Sequence, residues 1–474
     1  LTSILLTVII RLTWQRRWRM GKLLVVQTVV LVSVLLLVGC GGGGGGGGAA
    51  PSWAASYGGS TNDNDCATSI QQTSDGGYIV AGYTASFGAG NSDFWVLKLN
   101  SGGAVSWQKS YGGAEADSAN SIQQTGDGGY IVAGYTYSFG AGNSDFWVLK
   151  LDSNGTVDWE RRYGGAEADS ATSIQQTSDG YIVAGATYSF GAGNMDFWVL
   201  KLNSSGTPSW AKTYGGASGD GAYSIQQTDD LGYILAGYTY SFGGGDSDFW
   251  VLKLDTDGVV SWQKTYSGGD DDIAYSIQQT SDDGYVVTGY TKSFGAGNWD
   301  FWVLKLNSYG TVDWQKAYGG TEEDLAKSIQ ETSDGGYIVA GYTLSFGAGS
   351  YDFWVLKLNS YGTVDWQKGY GGAGWDQAQS IRQTIDGRYI AAGWTGSFVI
   401  TNWDFWVLKL NGDGTVPFNA ATGAQAADTD AVPADTTASV VDTGVAGVLV
   451  PLVSATTTNA TVVDTDATVM RQAP

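Results

Sequence analysis

The heptapeptide Asp-Phe-Trp-Val-Leu-Lys-Leu occurs seven times, starting at Asp93, Asp145, Asp196, Asp248, Asp300, Asp352 and Asp404. One interval is 51 residues and five are 52. A fixed period of this size means that one supersecondary unit is repeated, and the fold is read from that unit.

The unit can be followed from Trp314 to Leu358. Val312 to Lys316 reads as a strand ended by Tyr318-Gly319-Gly320, and an acidic loop follows, Thr321 to Asp324. Ser328 to Thr332 is a second strand. Ser333-Asp334-Gly335-Gly336 is a turn, because Asp and Gly supply the positive φ of tight hairpins. Tyr337 to Thr343 is the third strand, Ser345-Phe346-Gly347-Ala348-Gly349 a loop, and Asp352 to Leu358 the fourth strand. The third copy has one glycine fewer at Ser178-Asp179-Gly180, a change that a turn tolerates and a strand does not. Four short antiparallel strands per unit match a propeller blade. The outer-strand Trp recurs at Trp53, Trp107, Trp159, Trp210, Trp262, Trp314 and Trp366, which counts seven blades. The sequence thus predicts an all-β, seven-bladed β-propeller of four-stranded antiparallel blades. The chain enters on an outer strand, Ser52 to Tyr57, and this strand is expected to close the ring on the last blade. Gly414 to Phe418 is a degraded copy that competes for the same edge, weakened by Pro417.

Both faces of the fourth strand are apolar, as a blade packed between two others requires. Trp354, Leu356 and Leu358 are expected against one neighbour, Phe353 and Val355 against the other. Lys357 interrupts the run, and its ammonium is expected to pair with Asp313 or Asp365 while its stem packs between blades. The succession Trp-Val-Leu-Lys-Leu-Asn, Gly turn, Val-x-Trp-Gln-Lys resembles the tryptophan-motif blades of quinoprotein-like propellers over residues 53 to 418. The resemblance implies that the Trp strand is outermost and the Ser-Ile strand innermost. The paired cysteines and cofactor-binding set of the quinoprotein enzymes have no counterpart here, so no quinone or other cofactor is carried over.

Leu23 to Val38 is a nearly unbroken apolar run preceded by Arg16, Arg17, Arg19 and Lys22, a length that suits a signal peptide better than a membrane span. It ends in Leu37-Val38-Gly39-Cys40, which resembles the lipobox of bacterial lipoproteins. The resemblance implies cleavage before Cys40 and lipidation of its sulfur, with Gly41 in place of Asp favouring the outer membrane. Met20-Gly21-Lys22 offers an alternative start with a compact charged head. Residues 1–39 are thus read as a signal peptide, 40–51 as the lipidated cysteine and a poly-Gly tether, 52–418 as the propeller, and 419–474 as a low-complexity Ala/Thr/Asp/Val tail with some β pairing.

The formal net charge of −22 argues against nucleic acid as a partner. The chain has no histidine, which removes Ser–His and Cys–His mechanisms and the usual zinc sites. Two cysteines, Cys40 and Cys66, make no disulfide framework.

Strand order places the loops before the second strand and after the third on one face. An acidic ring gathers there: Asp63, Asp65, Glu115, Asp117, Glu167, Asp169, Asp220, Asp270, Asp271, Asp272, Glu322, Glu323, Asp324 and Asp376. The recurrent Asp of Asp-x-Ala-x-Ser-Ile is expected to cap its turn through backbone N–H groups. The functional alternative is calcium, with Asp117, Asp169, Asp272 and Asp324 as ligands, although no segment has the spacing of a known calcium loop. Positions that vary between blades are better recognition candidates. On these loops they supply Tyr137, Tyr188, Tyr240, Trp299, Tyr351 and Trp403, aromatic and expected on one rim. Aromatics beside Asp and Asn suit sugar stacking, and equally a protein interface. A third possibility is that they only pack the loops.

The sequence therefore predicts a non-enzymatic, monomeric scaffold, lipid-anchored in a bacterial envelope and binding a protein through its loop face. The alternative is a multivalent lectin-like module. A polysaccharide-acting enzyme fits least, because no blade carries a distinct acid pair.

Overall fold

Aromatic and β-branched runs between Asp-Gly turns form twenty-eight strands from Trp53 to Leu410. The structure, a computed structural model, describes residues 51–59, 63–140, 142–244, 246–398 and 402–416, and the backbone of six short strands between 427 and 471. Cys40, the glycine tether, the apolar run before them, and Pro417 and Phe418 lie outside the described residues. Among the described residues no helix is long and apolar enough to cross a membrane.

Blade one consists of an inner strand Asp65–Gln72, a middle strand Tyr78–Thr84, the Asp-Phe-Trp strand Asp93–Leu99 and an outer strand Val105–Gly112, hydrogen-bonded in that order. Blades two to six repeat it, with inner strands Asp117–Gln124, Asp169–Thr177, Asp220–Gln227, Asp272–Gln279 and Asp324–Glu331. Blade seven takes Asp376–Gln383, Tyr389–Thr395 and Asp404–Leu410 from one end of the propeller segment and Trp53–Gly58 from the other. Trp53 pairs with Lys409 and Tyr57 with Phe405, so the ring closes as expected. The degraded copy does not take that edge, and Val416 instead packs beside the core between blades six and seven. The short turn of blade three leaves the pairing unshifted: Gln176 faces Tyr181 as Gln124 faces Tyr130.

The tail adds edges rather than blades. Ala427–Asp428 pairs with the outer strand of blade six, Ala434–Asp435 with blade five, Ser439–Asp442 with blade four and Val448–Leu449 with blade three. Thr461–Asp464 pairs with blade one and Thr468–Arg471 with the closing strand. The tail thus covers outer edges that would otherwise present unpaired N–H and C=O groups.

Each core lies between two blades. Trp354, Leu356 and Leu358 pack with Phe301, Val303 and Tyr318 of blade five, while Phe353 and Val355 pack with Trp406, Leu408 and Leu410 of blade seven. Lys357 lies buried in this layer, but its nearest carboxylate is Asp334 of the hairpin turn, at 2.9 Å. Asp365 is second at 3.7 Å, and Asp313 serves Lys305. The turn Asp wins because it lies at the end of the sheet toward which the lysine stem points. The same lysine–turn pair recurs in all seven blades.

Outer strands are fastened forward. Tyr318 donates its hydroxyl to Gly362 O of the next blade at 2.6 Å, and the Trp314 indole donates to Ser360 O at 3.0 Å. Gly362 has φ +72°, and a Cβ there would stand 2.7 Å from the Trp314 ring. Gly362→Ala therefore meets both a left-handed backbone and an occupied space. It should destabilise the protein by about 2 kcal/mol or more, read from urea unfolding. An unchanged midpoint would remove glycine from this account of the blade junction.

Candidate functional site

The loop face is built on a stapled junction. The N–H of the Asp opening each inner strand donates to the carbonyl of the residue before the preceding Asp-Phe-Trp strand. Asp324 N thus bonds Trp299 O, Asp376 N bonds Tyr351 O and Asp65 N bonds Trp403 O, each at 2.7 Å. The backbone at these variable positions is held by the next blade, so the side chains can differ without loosening the loop.

The predicted acidic ring divides in two. Asp65, Asp117, Asp169, Asp220, Asp272, Asp324 and Asp376 are buried and cap the loops. Asp117 accepts from Gly113 N at 2.9 Å and Ser138 Oγ at 2.7 Å, and Asp169, Asp272 and Asp324 accept the equivalent bonds. The four calcium candidates stand in four different blades. Among the described residues no three carboxylate or cysteine side chains are grouped to hold one metal ion. The exposed part of the ring is Asp63, Glu115, Glu167, Asp270 and Glu322. Asp271 is engaged by Lys292, at 2.5 Å, and Glu323 by the Tyr351 hydroxyl, at 2.5 Å.

The aromatic candidates also divide. Tyr137, Tyr188 and Tyr240 are about half exposed, at 49%, 50% and 50%. Trp299, Tyr351 and Trp403 are half-buried and packed: Trp299 on Tyr290 at 5.1 Å, Tyr351 on Tyr342 at 5.0 Å, Trp403 on Trp394 at 4.5 Å. The sequence reading missed Trp375, which is 45% exposed, lies 5.5 Å from Tyr351 and stacks on Trp403 at 14°. Its signal was available, since the same place holds Asn64, Ala116, Ala168, Gly219, Asp271 and Glu323 in the other blades.

A second missed series lies at the bulge inside each inner strand: Thr68, Asn120, Thr172, Tyr223, Tyr275, Lys327 and Gln379. In blades one to three this residue bonds the next blade, as Thr68 does to Ala119 O at 2.8 Å. In blades four and five it is a tyrosine, and Tyr223, Tyr275, Tyr290 and Trp299 follow one another in ring contact. The aromatic arc is therefore concentrated on blades four to seven, while blades one to three keep the small or polar form.

Beneath the face, two carboxylates meet at each junction. A Cβ on Gly371 would stand 1.6 Å from Asp352 Oδ1 and 2.8 Å from Asp376 Oδ2. In six blades the carboxylate fills the glycine's side-chain space, and in blade four Ser267 stands there and hydrogen-bonds Asp248. Burial pushes the carboxyls of Asp93, Asp196, Asp248 and Asp300 up to about 6, and those of Asp352 and Asp404 to about 7, with the facing aspartate adding to the push. The hairpin aspartates move oppositely. Burial raises Asp75, Asp127, Asp282 and Asp334, but bonds from the paired lysine, the preceding threonine and the turn N–H outweigh it and hold them at about 2.

The raised carboxyls bind protons more tightly when folded. Their stabilisation is complete below the unfolded value of 3.8 and is lost as pH rises through 6 to 7. The lowered set stabilises above 3.8 and loses that contribution as pH falls through 2. Melting temperature should therefore peak at about pH 4. Asp352→Asn keeps an acceptor for Ala348 N and turns an amide N–H toward Asp376. It should raise the melting temperature at about pH 7.5 and leave it unchanged at about pH 3. A decrease at the higher pH would show Asp352 to be stabilising as an anion.

Compared with known proteins, the chain is similar to a family described as "Domain of unknown function (DUF5122) beta-propeller", which matches residues 125–158 and 332–365. Both matches run from the inner hairpin turn through the Asp-Phe-Trp strand to the start of the next outer strand. No curated protein matches. A crystal structure of a protein of unknown function from Dyadobacter fermentans aligns at 10% identity and a TM-score of 0.41, covering 75% of this chain and 97% of that one.

Proposed function

We propose that this propeller is a non-catalytic binding protein of the bacterial envelope that engages a protein partner through the loop face of blades four to seven. The observation that carries this reading is the aromatic arc, because the bulge tyrosines and the Trp375–Trp403 stack occur only among blades four to seven, beyond the single loop tyrosines Tyr137 and Tyr188 of blades two and three. A multivalent lectin would repeat its site in every blade. Large aromatic side chains beside carboxylates suit the buried centre and polar rim of a protein interface. Asp270 and Glu322, exposed near the arc, give that rim a negative sign and favour a basic partner surface. The anchor in this reading is a lipid on Cys40, and the glycine run after it acts as a flexible tether.

Carbohydrate is the second reading, favoured by one feature. Trp375 stacked on Trp403 forms a flat, partly exposed aromatic surface of the kind that covers a sugar ring.

A photo-crosslinking amino acid at Trp375 should capture a defined envelope protein in intact cells. The same group at Tyr361, on the hairpin-turn face and 76% exposed, should not. Equal capture from both positions would sink the loop-face reading. A glycan array on the purified protein separates the alternative, since sugar binding lost in Trp375→Ala would replace the protein partner with a carbohydrate. Cys40→Ala should abolish labelling by a radioactive fatty acid and release the protein from membranes, whereas persistent labelling would place the lipid elsewhere.

A further inference from the structure

The central channel contains one level at which the side-chain acceptors are already engaged and the donors are in excess. In six blades the first glutamine of the inner strand turns Oε1 to a backbone N–H of the next blade. Gln71 accepts from Gln124 N at 2.7 Å, Gln123 from Gln176 N at 2.6 Å and Gln175 from Gln227 N at 2.6 Å. Gln226, Gln278 and Gln330 accept from Gln279, Glu331 and Gln383 N at 2.7, 2.7 and 2.6 Å. Each bond fixes the amide: its oxygen is engaged, and Nε2, with two N–H donors, remains for the lumen. In blade seven the place belongs to Arg382, whose guanidinium has no acceptor atom. The N–H of Gln72, which would bond a glutamine there, has none opposite.

These residues line a cavity of about 240 Å³ together with rings of serine and isoleucine, and no carboxylate is among its lining residues. Arg382 also borders a second opening of about 340 Å³ at the hairpin-turn face, beside Gln72, Ser74 and Ile385. Among the described residues its guanidinium donates only to Ile381 O, over a long 3.4 Å. Burial lowers the guanidinium from its ordinary value, and no acidic neighbour offsets this. Toward the loop face, Lys327 stands over the Tyr275 ring at 3.5 Å, and desolvation pulls its ammonium down to about 7. A chain of net charge −22 thus keeps a guanidinium in its channel, and among the described residues no carboxylate pairs with it.

We propose that this level of the channel, closed by six glutamine amides and Arg382, is a binding site for a small oxyanion, a phosphate or carboxylate group entering from the hairpin-turn face. Donors fixed around a lumen match an acceptor-only group, and the guanidinium supplies the charge and the planar two-point contact. Arg382 is the only departure from glutamine in the ring, so it places the anion beside blade seven. The site lies at the opposite end of the channel from the aromatic arc and does not depend on it.

Isothermal titration of the full chain at fixed ionic strength, with inorganic phosphate and with citrate as separate probes, tests the site. At least one probe should bind with one site per chain, and which one binds separates phosphate-bearing from carboxylate ligands. Arg382→Gln restores the residue of the other six blades and supplies Gln72 N with its acceptor, so the melting temperature should be kept or raised. Binding should fall by about tenfold or more. Lys292→Gln, which removes a cation from the loop face, should leave binding unchanged. No binding of either probe tighter than about 10 mM would overturn the proposal. So would equal binding by Arg382→Gln, or an equal loss in Lys292→Gln.

Discussion

Each blade is apolar on both faces and can be buried only by two neighbours. The contact that satisfies this is a phenylalanine of one Asp-Phe-Trp strand against the tryptophan of the next. Phe94 meets Trp147 at 4.6 Å, Phe301 meets Trp354 at 4.6 Å, and Phe405 meets Trp95 at 4.5 Å across the closure. An aromatic side chain buries roughly 150–250 Å², so an open array would leave one such layer bare at each end. The ring follows from that requirement. The strand Trp53–Gly58 completes blade seven, whose Trp95-facing side then closes on blade one.

Much of this was legible because it is periodic. The repeat determined the blade count, the alternation assigned Phe353 and Trp354 to opposite neighbours, and the Asp-Gly pairs located the turns. What was not legible depends on which end of a sheet a side chain reaches. Asp365 is close to Lys357 in sequence, yet Asp334 is closer in space, because a hairpin brings residues 23 apart to one corner. The motif Asp was legible as a cap, and in every blade it accepts the loop's own glycine N–H, as Asp324 does from Gly320 N. Counting carboxylates on the loop did not separate these buried caps from the exposed acids such as Glu322.

The candidate site was half legible. Comparing copies at loop positions found Tyr137, Tyr188, Tyr240, Trp299, Tyr351 and Trp403, but exposure does not follow from variability. Trp299, Tyr351 and Trp403 are partly used up in packing on Tyr290, Tyr342 and Trp394. Trp375 escaped because the loop before the inner strand was read only for its carboxylates, and the bulge residues escaped because they lie inside a motif that otherwise hardly varies. The bulge places those side chains apart from the alternation of the strand, so a period of two cannot say where they point.

A near-perfect repeat makes function a question of symmetry breaking. Positions that recur around the ring are accounted for by the junction: tyrosine in all seven blades where a turn carbonyl needs a donor, glycine in six where an aspartate fills the side-chain space, and glutamine in six where an inner strand needs an acceptor. None of these bonds requires one blade to differ from another. Most of the differences are grouped, with tyrosine and lysine at the bulges of blades four to six, Trp375 and Trp403 around blade seven, and Arg382 in the glutamine ring, while Tyr137 and Tyr188 stand outside the group. Grouping is the informative part, since unselected drift among duplicated blades would scatter substitutions around the ring and would spend aromatic and cationic residues no more often on one side than on the other. A ligand that contacts one arc of the loop face, or one side of the channel, places demands on those blades alone.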